Sequence, residues 1–148
     1  MRCALLDVNV LLAIVWSSHI HSSIARRWLA ANKGTSWATC PLTEAGFVRL
    51  TAQPQIIGSR VSVLEAISAL DTIRTFPGHT FWPRLSSLTE LLPEIRERLA
   101  GHRQVTDALL LDLAIRQEGR LVTLDRSVGT LLAADSSARA ALEIIPTE

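Results

Sequence analysis

The feature that most constrains this chain is a series of short apolar runs, each followed by a helical segment. The first run, Cys3-Ala4-Leu5-Leu6, has no polar face at all. A strand that is apolar on both sides has to be covered on both sides, which is the situation of a strand in a parallel sheet. Ser36 to Cys40, His79 to Trp82 and Leu121 to Leu124 read as further strands, and Leu142 to Ile145 as a fifth. Between them, Val10 to Trp16 reads as an apolar helix. His21 to Ala31 is an amphipathic one, with Ile24, Trp28 and Leu29 on one face and Gly34 as its stop. Pro41 opens a helix carrying Phe47, Val48 and Leu50, which Gln53-Pro54 breaks. Ser62 to Arg74 shows Val63, Ile67 and Leu70 at helical spacing, and Pro77-Gly78 turns the chain afterwards. Ser87 to Ala100 reads as a helix with Leu88, Leu91, Leu92, Ile95 and Leu99 inward. Gly101 to Gln104 is a polar loop, Thr106 can cap a helix from Asp107 to Glu118, and Gly119 ends it. The alternation predicts a three-layer α/β/α fold around a mainly parallel sheet of four or five strands.

Length and composition agree with that reading. The 148 residues suit one domain spanning 1–148, and 48% hydrophobic against 20% charged residues exclude wholesale disorder. Fifteen basic and fourteen acidic residues leave a net charge of +1, so the total carries no nucleic-acid footprint. Only Lys33 among the bases is lysine, however, and arginine pairs bidentately with phosphate. Cys3 and Cys40 sit in apolar runs, as small hydrophobes of a reducing compartment do. Neither a signal peptide nor a membrane span is legible, which makes the cytoplasm the expected location.

Four acids stand out by position. Asp7 follows the first strand and Asp125 the fourth, while Glu44 and Asp107 fall in first helical turns. In a parallel sheet all four places lie on the rim beyond the carboxyl ends of the strands, where ligands bind. Carboxylates clustered there need cations, and an all-oxygen set suits Mg²⁺ or Mn²⁺ rather than Zn²⁺. Such ions can activate water and offset charge on a phosphodiester. Asp112, about 140° around a 3.6-residue helix from Asp107, falls outside the set. Asn9 can serve a metal ligand or bond local backbone.

Other features compete. His19 and His21 form an H-x-H without the further ligands zinc needs, and His79 and His102 read as structural or surface residues. Arg26, Arg27, Arg49, Arg103 and Arg126 can meet phosphates or remain solvated; Trp16, Trp28, Trp37 and Trp82 fit core or interface packing. A receiver-like phosphoacceptor also places acids at strand ends, but it needs a lysine near the late strands, and Lys33 precedes the second. A non-catalytic RNA- or partner-binding module would have no use for all four acids. A DNA nuclease would share the chemistry.

Four segments, LLDVNVLLA, LTEAGFVRL, VTDALLLDLA and GRLVTLDRSV, occur in the order and spacing of a PIN-domain ribonuclease. The chain resembles the VapC-type toxins of bacterial toxin–antitoxin pairs over nearly its whole length. The resemblance implies a single PIN-like nuclease domain, Mg²⁺- or Mn²⁺-dependent endonucleolytic cleavage of RNA, and inhibition by a cognate antitoxin. Asp7, Glu44, Asp107 and Asp125 match the family's four catalytic and metal-binding acids; Thr106 and Thr123 match supporting hydroxyls. Apolar surface on Val10 to Trp16, on Ser62 to Arg74 and at Phe81-Trp82 adds the expectation of a homodimer.

Overall fold

A computed structural model describes residues 1–147. Its five strands are β1 (Ala4–Leu6), β2 (Trp37–Thr39), β3 (His79–Phe81), β4 (Arg120–Thr123) and β5 (Leu142–Ile144). They form one sheet in the order β3-β2-β1-β4-β5, and every neighbouring pair is parallel. The helices are α1 (Val8–Val15), α2 (Ser22–Ala31), α3 (Pro41–Thr51), α4 (Pro54–Ile57), α5 (Val63–Ile73), α6 (Pro93–Arg98) and α7 (Val105–Arg116).

The period of two along β1 divides the core. Ala4 and Leu6 join Val10, Leu11, Phe47, Leu70 and Ile73 on one face of the sheet, under α1, α3 and α5. Leu5 joins Leu110, Leu111, Ala114 and Ile95 on the other, under α6 and α7. This is the three-layer architecture the strand pattern requires.

Three local expectations need correction. Ser87 to Ala100 is not one helix: Leu88–Glu90 form a 3₁₀ turn, Leu91 and Leu92 are extended, and α6 starts at Pro93. Proline has no N–H to give to the preceding turn and keeps its predecessor out of the helical region, so it can only open the second helix. Leu88 is consequently exposed, whereas Leu91 and Ile95 are buried. Thr106 caps nothing, because a 3₁₀ turn at His102–Gln104 runs straight into α7 and leaves Thr106 inside its first turn. Along α5 the buried stripe is Ala66, Leu70 and Ile73, while Val63 and Ile67 face outward with Leu64.

Gly119 follows α7 for a steric reason. The left-handed residue at that helix end is Glu118, with φ 53°. A Cβ on Gly119 would stand 2.7 Å from the carbonyl oxygen of Cys3 and equally close to the Trp82 ring.

Candidate active site

The strand order carries a switch point. The chain runs from β1 outward through β2 to β3, then returns to lay β4 on the other side of β1. Connections therefore leave the carboxyl ends of β1 and β4 in opposite directions and open a crevice between them. Asp7 follows the first end directly, and Asp125 stands two residues beyond the second.

Asp7 is 7% exposed. Its backbone N–H donates to Val122 across the sheet at 2.9 Å, and one carboxylate oxygen caps α1 by accepting from the Val8 N–H at 2.7 Å. The other accepts from the Thr123 hydroxyl at 2.7 Å. Thr123, wholly buried, accepts in turn from the Asn9 amide at 3.2 Å and the Asp125 N–H at 3.1 Å. Asn9 also accepts from the Leu124 N–H, so its amide ties α1 to the end of β4. Asp125 is exposed and caps the 3₁₀ turn Arg126–Leu131 through the Ser127 N–H at 2.9 Å.

Asp107 lies in the first turn of α7, half-buried. Desolvation pushes its carboxyl up to about 7, with the charges of Asp7 and Asp125 adding to the rise. Asp7 is raised as well, chiefly by burial and slightly by Asp125, against the opposing bonds from Thr123 and Val8. Three acids thus share one electrostatic field.

Glu44 stands apart from that field, on the first turn of α3 at the end of β2. It accepts from the buried Thr39 hydroxyl at 2.6 Å and pairs with Arg74 at 3.3 Å, whose guanidinium also stacks on Phe81, 5.0 Å from the ring centre. Thr39 has spent its one proton on Glu44. His79, 2.8 Å away, must therefore donate through Nε2. Burial, then the Arg74 charge, lowers the pKa of His79 and outweighs the opposite pull of Glu44.

The structure therefore brings Asp7, Asp107 and Asp125 together and sets Glu44 one strand further along the rim, held by an arginine. Among the described residues no three His, Cys, Asp or Glu side chains are arranged to hold a metal ion. Asp7, Asp125 and Glu44 each accept hydrogen bonds from the chain itself. The donor chemistry nonetheless fits a hard divalent cation, because the oxygens are all carboxylate and their mutual repulsion is only partly offset.

Asp112 is fully buried away from the site, where it accepts from the Leu92 N–H and pairs with Arg116 at 2.9 Å. Thr106 is exposed. The sequence reading missed Thr39, Arg74 and the contact of His79. A hydroxyl as last residue of a buried strand, common to Thr39 and Thr123, was the signal available for the first.

A family model described as PIN domain matches residues 4–130. The chain is 47% identical over 128 residues to Ribonuclease VapC38 of Mycobacterium tuberculosis, covering 86% of this chain and 89% of that one. Ribonuclease VapC39 of the same organism is 39% identical over 142 residues, covering 96% and 99%. The crystal structure of VapBC2 from Rickettsia felis, bound to a DNA fragment from their promoter, has a similar fold. It gives a TM-score of 0.61 over 97% of this chain and 99% of that one, at 16% identity.

Proposed function

The chain belongs to the PIN-domain family, and we propose that it is a divalent-metal-dependent endoribonuclease, the toxin of a toxin–antitoxin pair. Residues 1–148 form its nuclease domain in this reading, and Asp7, Glu44, Asp107 and Asp125 are its catalytic and metal-binding acids. The observation that carries the reading is Asp107, a carboxyl held at about 7 between two other acids at the mouth of the β1/β4 crevice.

Mg²⁺ or Mn²⁺ bound there would lower the pKa of water and offset charge on the phosphodiester. The chain's own part is positioning. Thr123 and the Val8 N–H fix both oxygens of Asp7, so that carboxylate meets a ligand without searching for its orientation. The Ser127 N–H does the same for Asp125. Arg74 holds Glu44 in reserve, since it sits on the carboxylate as a cation that an incoming one can replace.

The Asp7→Asn protein is expected to lose RNA cleavage while keeping its fold, because one anionic ligand is gone and the cap remains. Cleavage that survives this change, or survives EDTA, would refute the metal-dependent reading. Mg²⁺ against Mn²⁺ is read from activity restored after chelation.

RNA as substrate and a cognate antitoxin as inhibitor accompany this reading. No helix among the described residues is long and apolar enough to cross a membrane, which accords with a cytoplasmic toxin. Val63, Leu64 and Ile67 on the outer side of α5, with Ile56 on α4, are exposed and supply an apolar face for a homodimer.

A further inference from the structure

Beside the acid rim lies an open cavity of about 610 Å³ whose walls include Arg98, Arg126 and Arg139. Its floor is the 3₁₀ segment that begins directly after Asp125. The segment is tied to the loop before Asp107 by a bond of 2.9 Å from the Gln104 amide to the Thr130 hydroxyl.

Two of the arginines are fixed from behind. Arg98 donates through Nε to the Thr130 carbonyl at 3.0 Å. Arg139 donates through Nε to Ala133 at 2.9 Å and through Nη2 to Gly129 and Leu132 at 3.0 and 2.9 Å. These bonds spend the inner donors and leave the Nη groups of Arg98 and the Nη1 of Arg139 without an acceptor among the described residues. The Arg126 side chain makes no hydrogen bond to them. None of the three forms an ion pair with a described residue. The carboxylate that feels both Arg98 and Arg139 is Glu94, and it is already bonded to the Ala133 N–H and the Ser136 hydroxyl. Three like charges around one cavity, two of them held rigidly, are an unfavourable arrangement unless an anion completes it.

We propose that Arg98, Arg126 and Arg139 form a phosphate-binding subsite that holds the RNA backbone on the β4–β5 side of the acid rim. The inference rests on the ribonuclease reading for the identity of the polyanion. Guanidinium forks suit phosphodiester oxygens, and their fixing to backbone carbonyls reduces the ordering that binding demands. The subsite places a phosphate neighbouring the cleaved bond and leaves the bases unread.

The test is binding of a fluorescent single-stranded RNA to the Asp7→Asn protein, with and without Arg98→Gln and Arg126→Ala, across a salt series. Losing two phosphate contacts should weaken binding about tenfold or more and make the logarithmic salt slope shallower by about 1.4, as single strands require. Removing the same charge before the amino ends of β1 and β2, away from the acid rim, with Arg2→Ala and Lys33→Ala, should change both far less. Arg126→Ala alone disturbs no backbone contact, and in the active protein it should raise KM more than it lowers kcat. Equal affinity and slope in the presence and absence of the two arginines would overturn the subsite. So would loss of antitoxin binding with RNA binding intact, which would assign the arginines to a protein interface. Arginine-dependent RNA binding in a wild-type protein that never cleaves would sink the ribonuclease reading and spare the subsite.

Discussion

Asp107 contributes a pH dependence of definite sign to stability. Its folded-state pKa of about 7 lies above the ordinary 3.8, so between those values the folded protein holds a proton that the unfolded chain has released. Stability of metal-free protein should therefore fall as pH rises through this window, by on the order of 1–2 kcal/mol once the solvent reaching the carboxylate is allowed for. Asp107→Asn removes the titration without opening a cavity. Thermal melts in EDTA at pH 5 and pH 8 are expected to differ by several degrees for the wild type and by less for the variant, in which Asp7 and His79 still titrate. Mg²⁺ should raise the wild-type Tm most at pH 8, where the repelling carboxylates are ionised and the ion binds the native state. A wild-type melt that is flat from pH 5 to 8 counts against the acid cluster.

Among the elements, the junction between α7 and β4 leaves no room for a side chain. Gly119 passes under the Trp82 ring and against the Cys3 carbonyl, one of whose bonds comes from the Arg120 N–H at 2.8 Å. Gly119→Ala should destabilise the protein by about 1–3 kcal/mol, because backbone must shift to admit the methyl. Urea denaturation measures this, and a change under 0.5 kcal/mol would show that the strand can slide. This junction also marks how far the sequence could be read. An apolar run followed by Asp is a local signal, so both ends of the β1/β4 crevice were visible. The break at Leu92 was visible too, in Pro93, but was passed over for the leucine spacing around it. The Glu44–Arg74 pair joins a residue of α3 to the one that ends α5, thirty positions on, and no spacing rule reaches across such a gap. The outward turn of Val63 and Ile67 was hidden for a related reason: an apolar spacing shows which residues share a face, and only packing shows which face is inside.

For the whole molecule, the exposed apolar side of α5 bears on assembly. Leu64 is 77% exposed and stands beside the exposed Val63 and Ile67 on the same helix. Leu64→Asp is expected to convert a dimer in light scattering to a monomer with little loss of Tm, since the side chain touches no core cluster. A wild type that is already monomeric at tens of micromolar would remove the dimer from the reading. The double duty of Asp7, as helix cap and as proposed catalytic acid, has a consequence for inheritance. Asparagine caps a helix as well as aspartate does, and a single nucleotide change converts one to the other. A lineage can therefore disarm this chain in one step and still produce it folded. If the proposed antitoxin exists, the disarmed copy would keep engaging it, and in a cell that also carries an active copy it would draw inhibitor away from that neighbour, so an allele without activity would act as a dominant one.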